Sequence, residues 1–301
     1  MLVQLGCGAC GSSWQADPVD VRADTASRDP SVLRVATFNV RRFFDTVCDS
    51  ESCGPEDFEV AQSQGAFLRQ ADTLGRAVLG LDADIVLLQE VENQACLDAL
   101  LDRVHPRLPV GVLGEAGWPA SLDVAILGPS PPTAVIRHAD TPILRADGSE
   151  TTFAREVLEV RFDVAGLEVI AIVAHFKSKA GDDPARRLAE ATAARAIVLR
   201  VAADRPDALI VFGGDLNDVP GSAPLEALEA DGGLDRLDAR LPPPEAATVW
   251  YGGELVGLDH LYVPPGRDER YREGSIRAIR DPDGRGYGGS DHAALRAIFE
   301  L

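Results

Sequence analysis

The stretch Asp84-Ile85-Val86-Leu87-Leu88-Gln89-Glu90-Val91 joins a short apolar run to a carboxylate. A run rich in Val, Ile and Leu between polar residues is typical of a buried strand. We expect the strand to end near Gln89, where the helical pattern Val91–Val104 follows. Glu90 could then belong to a site at the edge of a sheet, or it could favour the first turn of that helix by its charge.

Similar apolar runs recur along the chain. They predict further strands at Leu33–Phe38, Val124–Leu127, Val157–Phe162, Val169–Ala174, Leu209–Phe212, Leu258–Val263 and Ala293–Phe299. Helical spacing predicts helices at Phe67–Leu79, Val91–Val104, Pro184–Ala203 and Leu225–Glu229. Strands dominate and two helical blocks come early. The pattern therefore predicts an α/β sandwich, in which two mixed, mostly antiparallel sheets face each other with helices outside.

Polar residues with catalytic or metal-binding potential lie at or just past the ends of these strands. They are Asn39, Glu90, His175, Asp215, Asn217, Asp259, Asp291 and His292. Each alone has a structural explanation, such as a turn residue or a core histidine. Because all of them follow one pattern, we expect them to meet at one edge of the sandwich. Carboxylate and amide oxygens suit magnesium, and imidazole suits the charged transition state of phosphoryl chemistry.

Five short motifs, in this order, resemble the core motifs of the endonuclease/exonuclease/phosphatase superfamily. They are Ala36-Thr37-Phe38-Asn39-Val40, Asp84–Val91, Ala174-His175-Phe176, Gly214-Asp215-Leu216-Asn217-Asp218 and Ser290-Asp291-His292. The resemblance extends over nearly the whole chain, from Leu33 to Leu301. It implies a four-layered α/β sandwich and a metal-dependent phosphodiesterase that attacks its substrate with water.

The resemblance also implies a metal site and a nucleophile site. Glu90 would be the main ligand of Mg²⁺ or Mn²⁺, with Asn39 and Asp291 completing or supporting the site. Ca²⁺ could assist structurally. Asp215 would align or deprotonate the attacking water, and Asn217 would hold a phosphate oxygen.

By the same resemblance, imidazoles contact the phosphate. His292, paired with Asp259, and His175 would approach it from two sides. Asp123 would orient His175. Arg155 stands in a segment similar to the Arg-Glu-Pro turn of pancreatic-type deoxyribonucleases, with Val157 in place of the proline. Arg155 would either clamp a phosphate or be an ordinary surface arginine.

The charge balance is acidic, with 29 Lys and Arg against 48 Asp and Glu and a net charge of −19. Such a balance argues against passive binding of nucleic acid by a basic surface, but it does not exclude an enzyme. The only two lysines of the chain, Lys177 and Lys179, stand directly after His175. With Arg41 and Arg42 they could form a local basic lip for a polyanion.

Two peripheral segments, Asn39–Thr46 and His175–Lys179, resemble bacterial and often secreted nuclease-like members. We therefore predict a nuclease whose substrate is nucleic acid, with DNA ahead of RNA. The alternatives are a phospholipid or small-molecule phosphodiester or phosphomonoester hydrolase of the same fold and, less favoured, a non-catalytic binding module. The aromatic pair Trp250-Tyr251, the nearest candidate for a lipid-inserting hairpin, is expected to pack beside the strand of Asp259.

The amino-terminal residues 1–31 show no periodicity, and residues 32–301 are predicted to form one domain. The first segment is predicted to be disordered. It could be the remnant of an export signal, or a tether with a lipid anchor on Cys7 or Cys10, or a cytoplasmic extension. Cys48 and Cys53 could form a disulfide in an exported protein, or remain free thiols. We predict export to the periplasm, outer surface or exterior, with a cytoplasmic location as the alternative, and a monomer without a stable protein partner.

Overall fold

Short Val-, Ile- and Leu-rich strands build two six-stranded sheets in the computed structural model, which describes residues 29–54 and 56–301. In chain order the strands are β1 (Val32–Phe43), β2 (Ile85–Val91), β3 (Val110–Gly114), β4 (Asp123–Gly128), β5 (Ala134–Arg137), β6 (Ile143–Leu144), β7 (Glu150–Thr151), β8 (Leu158–Val164), β9 (Leu167–His175), β10 (Leu209–Asp215), β11 (Asp235–Arg236), β12 (Val249–Tyr251), β13 (Glu254–Val256), β14 (Asp259–Val263), β15 (Arg277–Ile279) and β16 (Ala294–Glu300). The first sheet has the order β15-β16-β1-β2-β4-β3 and the second β11-β14-β10-β9-β8-β5. Both sheets are mixed, since β1 runs parallel to β2 and β9 parallel to β10 while most other pairs are antiparallel.

Helices cover the outer faces of the two sheets. They are α1 (Gln64–Gly80), α2 (Gln94–Val104), α3 (Pro184–Asp204), α4 (Ala223–Glu229) and the single turn α5 (Pro243–Ala246), with a 3₁₀ turn at Leu237–Arg240. Alternation along a strand sends successive side chains to opposite faces. Leu87 packs between the sheets, whereas its neighbour Leu88 packs with Leu100 beneath α1 and α2. On the second sheet Phe212 packs against Ile197 of α3. The predicted four-layered α/β sandwich is confirmed.

The strand register brings the polar strand ends to one edge. Asp215 at the end of β10 pairs with His175 at the end of β9, and on its other side with Asp259 at the start of β14. In the facing sheet Asn39 pairs with Gln89, the residue before Glu90. Two parallel pairs therefore end at the same edge of the sandwich, one pair from each sheet.

The predicted strands and helices are present, with changed bounds. Strand β2 continues through Val91, and the side chain of Asn93 caps α2 by accepting a hydrogen bond from the backbone N–H of Cys96 at 3.0 Å. Glu90 therefore lies inside a strand and not in the first helical turn, which removes its explanation as a helix-dipole residue. Its φ of 67° coincides with a shift of register between β2 and β4. The edge strands β3, β5 and β15 have only three to five residues each and are not predicted from such short runs.

The amino-terminal prediction falls mostly on residues 1–28, which lie outside the described residues. Residues 31–301 form one compact unit. Cys48 and Cys53 are joined by a disulfide, and Cys96 is a buried free thiol. Among the described helices, none combines the length and the apolar character needed to cross a membrane.

At Gly214 the backbone of β10 comes so close to β9 that the second sheet requires glycine there. Its φ of 142° is rarely adopted by other residues, and an added Cβ would overlap the carbonyl oxygen of Ala174 on β9. Any side chain here would separate β9 from β10 directly before Asp215.

We predict that Gly214→Ala lowers the free energy of unfolding by more than about 3 kcal/mol, because strain and overlap with backbone add together. Gly148→Ala is the matched control. Gly148 has a φ of 83° with open space around an added Cβ, so we expect a loss of only about 1–2 kcal/mol. Urea unfolding of both variants measures the difference, and equal losses would contradict the close approach of the two strands.

Candidate active site

Asp215 is the centre of the polar edge and is almost completely buried. Its carboxylate accepts hydrogen bonds from the side-chain amide of Asn39 at 3.0 Å and from the backbone N–H of Asn217 at 2.9 Å. Two imidazoles face the same oxygen: Nε2 of His175 lies 3.6 Å and Nε2 of His292 lies 4.0 Å from Oδ2. Burial, together with the nearby negative charge of Asp259, raises the pKa of Asp215 above its usual range.

Asn39 connects the two sheets through its side-chain amide. Besides Asp215, its Nδ2 donates a hydrogen bond to Glu90 at 3.1 Å, while its Oδ1 accepts the backbone N–H of Arg41 at 2.9 Å. Glu90 in turn accepts the backbone N–H of Arg42 at 2.8 Å. The amide thus turns its nitrogen, and not its oxygen, toward the carboxylates. In this arrangement Asn39 supports the candidate metal site as a donor and does not offer it a ligand oxygen.

His292 and Asp259 form a buried pair, with 2.8 Å between Nδ1 and Oδ2. Burial alone would lower the pKa of His292, but the charges of Asp259, Asp215 and Asp291 outweigh it and raise the pKa to about 10. The imidazole is therefore cationic at neutral pH. Because Nδ1 is engaged by Asp259, Nε2 is directed toward Asp215.

His175 has the opposite electrostatic character. Burial, followed by the positive charges of Arg155 and His292, holds its pKa well below the usual value. Its Nδ1 has no hydrogen-bond partner among the described residues. The site therefore combines one neutral and one cationic imidazole on either side of Asp215.

Two groups of side chains could each hold a divalent cation. Glu90, His175 and Asp215 form the first group, and Asp215, Asp259 and His292 form the second; the ligand atoms within each group lie within 4.8 Å of one another. The first group fits Mg²⁺ or Mn²⁺ better, because two carboxylates supply hard oxygens and Glu90 is partly open to solvent water. In the second group His292 is already paired with Asp259 as a cation.

Two predicted roles differ from the structure. Asp291 belongs to neither group, and its half-exposed carboxylate lies 3.3 Å from the guanidinium of Arg41. Asp123 does not orient His175. Its buried carboxylate instead accepts hydrogen bonds from the hydroxyl of Ser121 at 2.9 Å and the backbone N–H of Ala116 at 3.0 Å.

The predicted substrate-binding cations surround the site, but they are not equally available. Arg155 donates a hydrogen bond to the carbonyl of Phe176 at 3.1 Å. Burial lowers its pKa, and the negative charges of Glu90 and Asp215 oppose that effect. Lys177 donates to two backbone carbonyls of its own loop. Lys179 lies 3.3 Å from Asp218, so its charge is paired, as is that of Arg41.

Asn217 sits at the turn after Asp215, with a φ of 54°. Its Nδ2 donates a hydrogen bond to the carbonyl of Phe176 at 3.1 Å. This bond joins the loop after β10 to the loop after β9 and leaves the second hydrogen of the amide for another acceptor. The position is compatible with the predicted contact to a phosphate oxygen.

Sequence reasoning missed three side chains that hold this edge together. The hydroxyl of Ser290 donates to the carbonyl of Asn39 at 2.7 Å and accepts the backbone N–H of His292. The hydroxyl of Thr248 accepts the backbone N–H of Asp259 at 3.2 Å. Serine and threonine near turns are too common in sequences to be singled out, although Ser290 does belong to the motif Ser290-Asp291-His292.

Glu190 is the third of these residues. It lies on α3, is completely buried, and accepts the backbone N–H groups of Ala154 and Lys177, both at 2.7 Å. One carboxylate thus fixes the two loops that carry Arg155 and Lys177. Its place in the middle of a predicted helix gave no sign of this role, because helical spacing does not show which loops approach the helix.

We predict that Glu190→Ala destabilises the fold by at least about 2 kcal/mol, since two buried N–H groups lose their acceptor, and that Glu190→Gln costs less. The exposed Glu226→Gln on α4 is the control and should cost under about 0.5 kcal/mol. Urea unfolding gives the energies. Hydrogen exchange should also accelerate at the amides of Ala154 and Lys177, and unchanged protection there would contradict the assignment.

We predict that Asp259→Asn lowers the pKa of His292, because the largest favourable charge is removed. Since this pKa is raised from 6.5 to about 10, the stability contributed by the pair is present below about pH 6.5 and lost as pH rises through 10. NMR titration of the imidazole in metal-free protein measures the shift. Asp291→Asn, at a half-exposed carboxylate, should move the pKa much less; an equal shift in both variants would refute the pairing.

Several solved structures share the fold of this chain. The chain superposes on Staphylococcus aureus beta toxin 275-280 with a TM-score of 0.60, at 20% identity over 88% of this chain and 99% of that one. For D. rerio TDP2 complexed with single strand DNA product the TM-score is 0.57, at 16% identity over 90% and 100%. For the human Nocturnin catalytic domain with bound sulfate it is 0.56, at 17% identity over 90% and 94%. At these identities the likeness establishes the fold alone.

No curated protein matches the chain in sequence. The family model described as Endonuclease/Exonuclease/phosphatase family matches residues 36–292, which span every motif from Asn39 to His292. The match covers most of the chain and includes both imidazoles and all the carboxylates of the two groups. The chain belongs to the endonuclease/exonuclease/phosphatase family.

Proposed function

We propose that this protein is a metal-dependent nuclease that hydrolyses phosphodiester bonds of DNA. Members of its family are hydrolases that act on phosphodiester bonds. The observation that carries the proposal is the meeting of Glu90, His175, Asp215 and the His292–Asp259 pair at one edge of the two sheets. These groups match the needs of in-line attack by water on a phosphate: a cation site, a base and positive charge.

Glu90 would hold Mg²⁺ or Mn²⁺ beside Asp215, and water molecules would complete the coordination. When bound, the metal supplies positive charge that offsets the charge of the phosphate and the leaving oxygen. The buried carboxylate of Asp215 lies next to this position and can take the proton of the attacking water. Asn39 and Asn217 fix the orientation of that carboxylate.

The two imidazoles would act on the phosphate in different ways. Cationic His292 stabilises the charge that develops on the phosphate, and Asp259 keeps it protonated and oriented. Neutral His175 can hydrogen-bond a phosphate oxygen without placing a second buried cation beside the first.

The choice of DNA rests on charge and on likeness to known structures. In a chain of net charge −19, Arg41, Arg42, Arg155, Lys177 and Lys179 all lie in the segments that frame the site. Such a local field attracts a polyanion even in an acidic protein. The D. rerio TDP2 structure, which holds a single-strand DNA product, also supports nucleic acid as the substrate.

We also propose that the protein is exported and acts as a monomer. The disulfide Cys48–Cys53 supports export, because disulfides persist in oxidising compartments such as the periplasm and the cell exterior.

A second candidate, hydrolysis of a phospholipid, is favoured by one observation. Trp250 and Tyr251 come two and three residues after Thr248, whose hydroxyl accepts the backbone N–H of Asp259. They lie half exposed on the hairpin β12–β13 together with Leu255, although the adjacent Val249 bridges to His292. Exposed aromatic residues near a site can contact a lipid surface.

We predict that the purified protein nicks supercoiled plasmid with Mg²⁺ or Mn²⁺, and that EDTA abolishes the cleavage. Asp215→Asn should lower the rate by a factor of about 10²–10⁴, because it removes the base. Asp102→Asn, at an exposed aspartate of α2, is the control and should retain full activity.

Phosphatidylcholine and sphingomyelin vesicles serve as the competing substrates in the same assay. Release of phosphorylated headgroups without cleavage of plasmid, linear DNA or RNA would refute the nuclease proposal and favour the lipid candidate.

A further inference from the structure

A pocket of about 340 Å³ is lined by Arg155 and Lys177, two of the predicted substrate-binding residues. It is large enough for part of a small ligand, since ligand pockets commonly measure about 300–1,000 Å³. Leu122 and Ala120 lie among its lining residues and pack with Phe44 in a small apolar cluster. The pocket adjoins the site through Arg155, which lines it and also interacts with the charges of Glu90 and Asp215.

Two aromatic side chains line this pocket. Trp118 and Phe58 are 51% and 52% exposed, unusual values for large apolar side chains that border a concavity. Phe58 packs against Phe44 in a T-shaped contact, with 5.9 Å between the ring centroids. The next residue, Glu59, is buried and accepts the backbone N–H groups of Asp49 and Ser50, which ties Phe58 to the disulfide loop.

Three cations line the same pocket, and its lining includes no carboxylate. Arg155 and Arg186 donate hydrogen bonds to backbone carbonyls of neighbouring segments, which fixes their guanidinium groups in place. Lys177 is held in the same way. A fourth cation, Arg42, stacks over the ring of Phe58 at 5.0 Å. Arg186 also lies 3.6 Å from the carboxylate of Glu190, so the positive charge that this pocket offers to an anionic ligand comes mainly from Arg155, Lys177 and Arg42.

Aromatic faces beside fixed cations form the combination that binds an unpaired nucleotide, since the base stacks on a ring and the phosphate lies against the cations. We propose that this pocket receives an unpaired nucleobase next to the scissile phosphate, so that single-stranded or frayed nucleic acid is the preferred substrate. The inference rests on the proposed nuclease function and specifies its substrate.

The shape of the site explains why the base must be unpaired. A base within a duplex is stacked and paired, and it reaches a lateral pocket only after unstacking, which costs a few kcal/mol. A single strand does not incur that cost. The same cations disfavour a choline headgroup, whose quaternary ammonium would be repelled by Arg155, Lys177 and Arg186.

The test compares three ligands of equal length and phosphate number: a single-stranded DNA oligomer, its blunt duplex, and an oligomer of abasic nucleotides. With the wild-type enzyme and Mn²⁺ we expect kcat/KM for the single strand to exceed that for the duplex at least tenfold. We expect the abasic oligomer, as a competitive inhibitor, to bind about tenfold more weakly than the single strand, since stacking on one ring is worth about a factor of ten.

Variants of Trp118 assign the effect to the pocket. Trp118→Ala should raise KM for the single strand about tenfold and remove its advantage over the abasic oligomer, whereas Trp118→Phe, which keeps an aromatic face, should restore most of both. Leu79→Ala is the control, because Leu79 is 38% exposed near the end of α1 and does not line the pocket. Circular dichroism and thermal unfolding verify that each variant is folded.

The outcomes separate the two proposals. Equal kcat/KM for duplex and single strand, with no effect of Trp118→Ala on KM, would overturn the pocket assignment while leaving the nuclease intact. A wild-type enzyme that hydrolyses bis(p-nitrophenyl) phosphate but cleaves no nucleic acid would overturn the nuclease proposal itself. In that case inhibition of the small-substrate reaction by the single-stranded and abasic oligomers still tests the pocket, and equal inhibition would refute it.

Discussion

The side-chain amide of Asn39 donates hydrogen bonds to two carboxylates, Glu90 at 3.1 Å and Asp215 at 3.0 Å, that come from different sheets. These carboxylates repel each other, and few other donors reach them at this edge. The amide is neutral, so it joins them without cancelling the negative charge that a cation needs. The position of Asn39 is itself secured by Ser290, whose hydroxyl donates to the carbonyl of Asn39. The geometry of the active edge therefore depends on one uncharged bridge across the sandwich.

Charge in the site is arranged by burial as much as by contact. Asp215 and Asp259 are nearly inaccessible to water, so neither is well solvated as an anion. Cationic His292 lies beside both carboxylates and stabilises their negative charge, whereas His175, close to Arg155, stays neutral. Two residues of the same type thus acquire opposite charge states because their neighbours differ. This division provides positive charge on one side of Asp215 and a neutral hydrogen-bonding group on the other.

An acidic protein that acts on a polyanion must concentrate its positive charge. Here the cations occupy backbone-anchored positions around the pocket between Trp118 and Arg155, and Glu190 holds the two loops that carry Arg155 and Lys177. Fixed cations lose less conformational freedom when they bind a ligand than flexible surface lysines do. The negative overall charge of the protein limits nonspecific binding to nucleic acid, and the local positive field directs the nucleic acid to the site.

The sequence by itself determined the layers of the fold and the order of the motifs. Apolar runs such as Ile85–Leu88 are buried on both faces, and this pattern predicts strands whatever surrounds them. The placement of His175 and Asp215 at strand ends also followed from the sequence, since each comes soon after such a run, whereas Glu90 lies one residue before the end of β2. Only the tertiary structure decided where side chains point. Asp291 pairs with Arg41, and Glu190 accepts hydrogen bonds from two distant loops, because these contacts depend on strand register and loop conformation between residues far apart in the chain.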